Sequence, residues 1–284
     1  MLALDKQKDV ILLLLDLSAA FDTIDHGILI DRLRCRDGID GTALELLNSY
    51  LKGRTQRVVI GSVVSESKPL HFGVPQGSVL GPVLFSLYLA LIEDVISRHG
   101  LNCVIYADDT QLYIVCDSRT DTSCTARVEA CVDEIRHWMR ANMLALNDDK
   151  TELVWFSSKY KRDTGASGDV RMGDITVHPS ETVRDLGVMI DSGGTLETHV
   201  TSLCRSESHA LWRIGKLRKI LDLQTTEKLI HAFVTSRLDY CNSLLFGLPS
   251  KQIKKVQLLQ NSAARLVTRT KMRVHITPVL YSLH

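Results

Sequence analysis

Asp108 and Asp109 stand side by side between two apolar runs, residues 103–106 and 111–115. Adjacent carboxylates repel, by roughly 4 kcal/mol at ~4 Å in an effective dielectric of ~20. A divalent cation turns that repulsion into binding. Metals held by carboxylates at strand ends serve nucleotidyl transfer, where phosphate charge must be neutralised. The same dipeptide also suits a plain turn, because Asp side chains bond nearby backbone. A third carboxylate favours the metal. Residues 10–15 are unbroken aliphatics, and Asp16 follows them. A short aliphatic run predicts a strand buried on both faces. Asp16 then lies at its C-terminal end, the edge where α/β-type sites collect.

The elements that must position these groups fit within 284 residues, enough for one large domain or two ordinary ones. The net charge of +1 hides an asymmetry. Residues 1–100 hold ten Lys or Arg against twelve Asp or Glu, whereas residues 205–273 hold fourteen against four. An acidic first part and a basic last part suit a metal site in one region and a polyanion grip in the other. The alternative reading of the basic part is a solvated helix surface. Seven cysteines without C-x-x-C spacing argue against a zinc site or a disulfide framework and for a reducing compartment. Their default role is core packing. Lys6, Lys8 and Asp9 ahead of the aliphatic run argue against a signal peptide. The apolar stretch 79–92, broken by Gly81, Pro82 and Ser86, is too short to span a bilayer.

Apolar spacing predicts helices over 26–34, 42–51, 82–99 and 123–143. Residues 58–64 predict a strand with a turn at Gly61-Ser62, and 153–156 a strand after a turn at 147–150. Residues 157–169 read as a surface loop. Residues 170–177 and 183–190 read as a strand pair, and 196–220, 225–245 and 251–267 as helices only. The domain boundary is expected at Gly193-Gly194, giving domains 1–193 and 194–284. Trp138, Trp155 and Trp212 fall on apolar faces and are expected in the core; His26, beside Asp25 at a helix start, is expected to be structural.

Five strings in order carry a resemblance. Leu15-Asp16-Leu17-Ser18-Ala19-Ala20-Phe21-Asp22 resembles the first palm motif of reverse transcriptases. Phe72-Gly73-Val74-Pro75-Gln76-Gly77-Ser78-Val79-Leu80-Gly81-Pro82 resembles the second, and Tyr106-Ala107-Asp108-Asp109 the third. Leu146-Asn147-Asp148-Asp149-Lys150-Thr151 is similar to the fourth, and Asp185-Leu186-Gly187-Val188 to the primer-contacting segment after it. With a late helix at Tyr240-Cys241, the set resembles non-LTR, jockey-like retrotransposon enzymes. The resemblance implies an α/β (α+β) fold: an antiparallel palm sheet with packed helices, then an all-helical thumb that holds template and primer. The chain starts about ten residues ahead of the Asp16 strand, so the fingers region is expected to be largely missing and dNTP binding weakened.

The resemblance further implies two Mg²⁺ ions, with Mn²⁺ as a substitute, held by Asp16, Asp108 and Asp109, and the backbone carbonyl of Leu17 completing one shell. Phe21 would exclude a ribose 2′ hydroxyl, or serve as a core aromatic. Gln76 and Gly77 would pack under the incoming dNTP. Lys150 would protonate pyrophosphate, or merely be solvated. Arg54 and Arg57 would touch template phosphates, or be surface charge. The partners implied are an RNA template, a DNA primer and dNTPs, with no membrane, inside the cell in cytoplasm, nucleus or both. The competing functions are a catalytically silent nucleic-acid-binding relic and an RNA-directed RNA polymerase, the latter disfavoured by Phe21.

Overall fold

In the computed structural model the described residues are 2–117, 122–157 and 168–283. They divide between Ser180 and Glu181 into two compact units. The loop expected over 157–169 falls mostly outside the described residues.

The first unit runs α1 (Leu2–Asp5), β1 (Asp9–Leu15), α2 (His26–Cys35), α3 (Gly41–Leu51), β2 (Thr55–Gln56), β3 (Val59–Ile60), β4 (Val63–Val64) and β5 (Lys68–Pro69). It continues with α4 (Leu80–Leu89), α5 (Ile92–Arg98), β6 (Asn102–Tyr106), β7 (Asp109–Cys116), α6 (Thr122–Ala141), β8 (Glu152–Phe156), β9 (Val170–Met172) and β10 (Ile175–Val177). Four strands form one antiparallel sheet in the order β6-β7-β1-β8. With helices packed beside it, this is the expected mixed α and antiparallel β class.

The central strand is not buried on both faces. Ile11, Leu13 and Leu15 are buried, while Val10, Leu12 and Leu14 are only half covered. Successive side chains point to opposite faces of a sheet, and only one face meets the main core. There Ile11, Leu13 and Leu15 share a cluster with Leu112, Ile114, Phe85, Ile96, Val128 and Ile135. Each such side chain contributes about 1.5–3 kcal/mol by leaving water. Helix α6 joins through Val128, Val132, Ile135 and Met139, spaced at three to four residues. Asp25 caps α2, accepting from the Ile28 N–H at 2.9 Å.

Several expectations need correction. Helix 82–99 begins at Leu80 and is interrupted between Leu89 and Ile92. Taken together, Leu80–Arg98 is long and apolar enough to cross a membrane by length and composition. Leu84, Phe85, Tyr88, Leu89, Ile92 and Ile96 are nevertheless buried in the first unit's core, and we assign the stretch that role. Residues 58–64 are two short strands around the expected turn; Val59, Ile60, Val63 and Val64 stand exposed there. Residues 170–177 and 183–190 do not pair with each other. Each folds on itself around its own left-handed glycine, Gly173 at φ 63° and Gly187 at φ 88°.

The second unit opens with β11 (Thr182–Asp185) and β12 (Val188–Asp191), so the boundary lies before this hairpin rather than at Gly193-Gly194. The hairpin belongs there because β12 packs on α7 (Glu197–Leu217). Then come α8 (Leu223–Ile230), a π-helical turn (His231–Thr235), α9 (Ser236–Asp239), α10 (Ser250–Thr268) and α11 (Ile276–Ser282). The unit is a hairpin followed, as expected from residue 196 onward, by helices only. Leu211, Ile214, Ile230, Val234, Leu238 and Leu259 form its own core. Buried Arg218 donates to the carbonyls of Leu221, Leu266 and Val267, a cation tying the end of α7 to the last turn of α10. Helix 225–245 stops at Asp239, because Tyr240 is extended and Cys241 left-handed at φ 53°.

Trp155 is buried and Trp138 half-buried, but Trp212 is 55% exposed, with Lys216 Nζ 3.6 Å from its ring centroid. The inward face of α7 belongs to Leu211 and Ile214. Cys116, Cys124 and Cys131 are buried as expected; Cys35 and Cys241 are exposed. Burial pushes the Cys131 thiol up to about 12, so it is inert packing rather than a nucleophile.

Candidate active site

Strand pairing brings the three predicted aspartates together. In the β1–β7 ladder Leu15 faces Thr110. Asp16 follows Leu15 directly and Asp109 precedes Thr110, and the charges of Asp16 and Asp108 both act on Asp109. Asp109 also closes the β6–β7 hairpin by pairing with Tyr106, leaving Ala107 and Asp108 as a two-residue turn. Ala107 adopts φ 54° there. A left-handed conformation costs a non-glycine residue roughly 1–2 kcal/mol. Such strain clusters at working sites.

Lys150 arrives by a second route. Ser18 N–H donates to the Ala145 backbone carbonyl at 2.9 Å and Asn147 N–H to the Asp16 backbone carbonyl at 2.8 Å, so residues 145–147 run alongside 16–18. Leu17 pairs with Leu146 between those two bonds, and its own carbonyl is not spent on this ladder. A 3₁₀ turn at Asp148–Lys150 then sets the Lys150 ammonium 3.1 Å from Asp16 Oδ2. That oxygen is buried and accepts no hydrogen bond, so charge alone joins the pair. Asp148 is occupied elsewhere: Arg136 grips it bidentately at 3.1 and 2.5 Å.

The electrostatics match this geometry. Burial first, then the charges of Asp108 and Asp16, push the Asp109 carboxyl above its ordinary range; Lys150 opposes them. The oxygens fit a hard divalent cation by donor type. Asp16 Oδ2, faced by Lys150 alone, and the crowded Asp109 are groups that such a cation would relieve. Among the described residues, no three Asp, Glu, His or Cys side chains already stand in coordinating geometry.

Phe21, Gln76 and Gly77 belong to a neighbouring pair of loops. Val74 N–H donates to the Phe21 carbonyl and Gly73 N–H to that of Ile24, both at 2.8 Å. His26 Nε2 meets the Gly73 carbonyl at 2.8 Å, which gives it the structural role expected. Gly73 is obligatory: at φ 86°, a Cβ would stand 2.9 Å from the Asp22 carbonyl oxygen. The Phe21 ring stacks on Phe85 at 4.7 Å, half-buried against the core. Gln76 lines a cleft of about 540 Å³ with Asp22, His26, Arg54, Gln56 and Phe72. Exposed Gly77 has open space around it. No hydrogen bond or ion pair among the described residues joins Phe21, Gln76 or Gly77 to the aspartates.

Two supports escaped the sequence. One is the Arg136 clamp on Asp148. The other is Arg32, which donates to the Tyr88 carbonyl and the Asn142 side chain and lies over the rings of Tyr88 and Trp138. Nothing in local spacing links Arg32 to Asn142. In the second unit, Tyr240 Oη donates to the Leu186 carbonyl at 2.6 Å, bracing the Leu186-Gly187 turn.

The reverse transcriptase (RNA-dependent DNA polymerase) family matches residues 2–190. The probable RNA-directed DNA polymerase from transposon X-element of Drosophila melanogaster is 28% identical over 90% of this chain and 28% of its own length. The RNA-directed DNA polymerase from mobile element jockey of Drosophila funebris is 26% identical over 94% of this chain and 29% of its own length. The chain thus spans under a third of these relatives. A telomerase of Candida tropicalis, solved with a fragment of telomeric RNA, aligns with 97% of this chain and 49% of its own at 10% identity and a TM-score of 0.45. That likeness is too loose to carry an argument. The family match covers most of the chain, carboxylate cluster included: this chain belongs to the reverse transcriptase (RNA-dependent DNA polymerase) family.

Proposed function

We propose that this chain is the polymerase portion of a jockey-like, non-LTR retrotransposon protein, and that it copies an RNA template by adding dNTPs to a DNA primer 3′ hydroxyl. The observation that supports this reading is the β1–β7 ladder ending at Leu15 and Thr110, next to Asp16 and Asp109, with the charges of Asp16 and Asp108 acting on Asp109 and Lys150 3.1 Å from Asp16. Phosphoryl transfer is mainly positioning and charge neutralisation, and those four side chains supply both.

Reverse transcriptases generally use divalent metal ions. Here Asp16, Asp108 and Asp109 would hold two Mg²⁺, or Mn²⁺, whose positive charge offsets that of the triphosphate and favours the ionised primer hydroxyl. The other tasks fall to the protein. Lys150 carries a proton that it can give to the departing pyrophosphate. Phe21, fixed by Phe85, supplies the bulk that excludes a 2′ hydroxyl. Gly77, with open space beside it, lets a nucleotide approach the backbone closely, and Gln76 offers hydrogen bonds to it. The hairpin and basic helices of the second unit serve as primer grip and thumb, gripping phosphates in a salt-sensitive way. Such work belongs inside the cell, in cytoplasm, nucleus or both.

Primer extension on poly-rA/oligo-dT with Mg²⁺ tests the reading. Wild type should incorporate dTTP, and Asp108→Ala should lose at least about a hundredfold. Equal incorporation by both proteins, or none by either, rejects it.

A further inference from the structure

Glu207 in α7 is only 1% exposed, and its Oε2 accepts no hydrogen bond. Burying an acceptor without a partner is costly. Arg237, largely exposed, stands 3.7 Å from Oε1. Burial pushes this carboxyl above its ordinary range, with Arg237 and Ser206 opposing.

Glu207 lines a cleft of about 470 Å³ within the second unit, a volume in the range of small-ligand sites. Ile214, Leu217 and Leu229 give it an apolar wall, and Phe233, 53% exposed, adds an aromatic ring. Phe233 sits in the π-helical turn that separates α8 from α9. Such turns are uncommon and concentrate at functional sites. Arg213 and Arg237 supply positive charge to the same cleft.

The chemistry narrows the occupant. A simple anion would meet the buried carboxylate. A simple cation would meet two guanidinium groups. A flat molecule with N–H donors at one end and a phosphate at the other satisfies both. We propose that this cleft binds an unstacked nucleobase bearing an exocyclic amino group, with the amino N–H donated to Glu207 Oε2, the ring against Phe233 and the phosphate toward Arg213 and Arg237. A carboxylate accepts from the cytosine amino group; uracil presents a carbonyl in the same place, acceptor against acceptor. The base can come from a free nucleotide or from an unpaired position in a strand.

CMP and UMP differ at that one group, so titration calorimetry with the full chain tests the proposal. Measuring in the Asp108→Ala background without divalent metal separates this cleft from the carboxylate cluster and makes the result independent of polymerase activity. CMP should bind roughly tenfold more tightly than UMP. Glu207→Gln, whose amide can donate or accept, should bring the ratio close to one. Phe233→Ala, a change at an exposed side chain, should weaken both nucleotides alike. If only single-stranded oligoribonucleotides discriminate, oligo-C over oligo-U, the source is a strand rather than a free nucleotide. Equal affinity for C and U in both formats, a preference untouched by Glu207→Gln, or no binding in either format overturns the assignment.

Discussion

Asp109 and Glu207 both hold a proton more tightly than an ordinary carboxyl, yet their surroundings are opposites. Asp109 sits at the end of a strand on a half-open sheet face, crowded by Asp108 and Asp16. Glu207 is buried at the wall of a cleft between helices, with no carboxylate among its perturbing neighbours. Both shifts begin with burial; in the first, like charges add to it, and in the second, Arg237 and Ser206 work against it. A crowd of carboxylates is relieved by a cation of high charge. A lone buried one is relieved by a hydrogen-bond donor of the right shape. The difference separates a centre built for phosphate chemistry from a cleft built for recognition.

The sharpest way to break the comparison after Asp108→Ala is at Lys150. Lys150→Gln removes the charge and the transferable proton, keeps a polar end and shortens the side chain by one atom. Single-nucleotide incorporation should slow about a hundredfold if that proton reaches pyrophosphate, while Mg²⁺ should bind the cluster more tightly because a competing cation is gone. Unchanged incorporation assigns Lys150 to the surface. Mg²⁺ itself should then tell the two sites apart. A ligand that binds only the folded chain stabilises it, by about 2.7 kcal/mol at a hundred times its Kd. Thermal melts should show this gain in wild type and Glu207→Gln, and lose it in Asp16→Asn.

The third test is at Glu207, where the pH sign is definite. A carboxyl whose folded pKa is raised contributes fully below its unfolded pKa; the contribution fades as pH climbs through the folded value. Glu207→Gln should therefore stabilise the chain at pH 7 by about 1 kcal/mol, and the gain should vanish in acid. Urea midpoints at the two pH values read it. Asp109→Asn follows the same sign with a smaller effect, because solvent screens that site. A Tm rise under about 3 °C at pH 7, with incorporation lost, would mark the crowding as a stability cost kept for function. A fall in Tm would show that the cluster is not self-repelling.

The carboxylate cluster was legible in the sequence because its logic is local. An aliphatic run followed by Asp16 and a hairpin turning at Asp108-Asp109 each announce themselves, and the β1–β7 ladder brings their strands side by side. Lys150 was found through motif order. The long-range contacts were not legible: Arg136 reaching Asp148, Arg32 reaching Asn142, and the zip between Phe21 and Val74 have no signature in spacing. The helix end at Tyr240 was missed because no proline or glycine marks it; Tyr240 instead leaves the helix to meet Leu186. Trp212 was misplaced because an aromatic residue on an amphipathic helix reads as buried until the phase of that helix is known.

The short hairpin of β3 and β4 has a practical consequence. Its aliphatic side chains face water, with Ile60 76% exposed, on strands that among the described residues pair only with each other. Unpaired strand edges next to exposed branched side chains are the usual seeds of self-association. In concentrated preparations this tip is where chains would first stick together, and a single lysine at residue 60 is the economical change for keeping them apart.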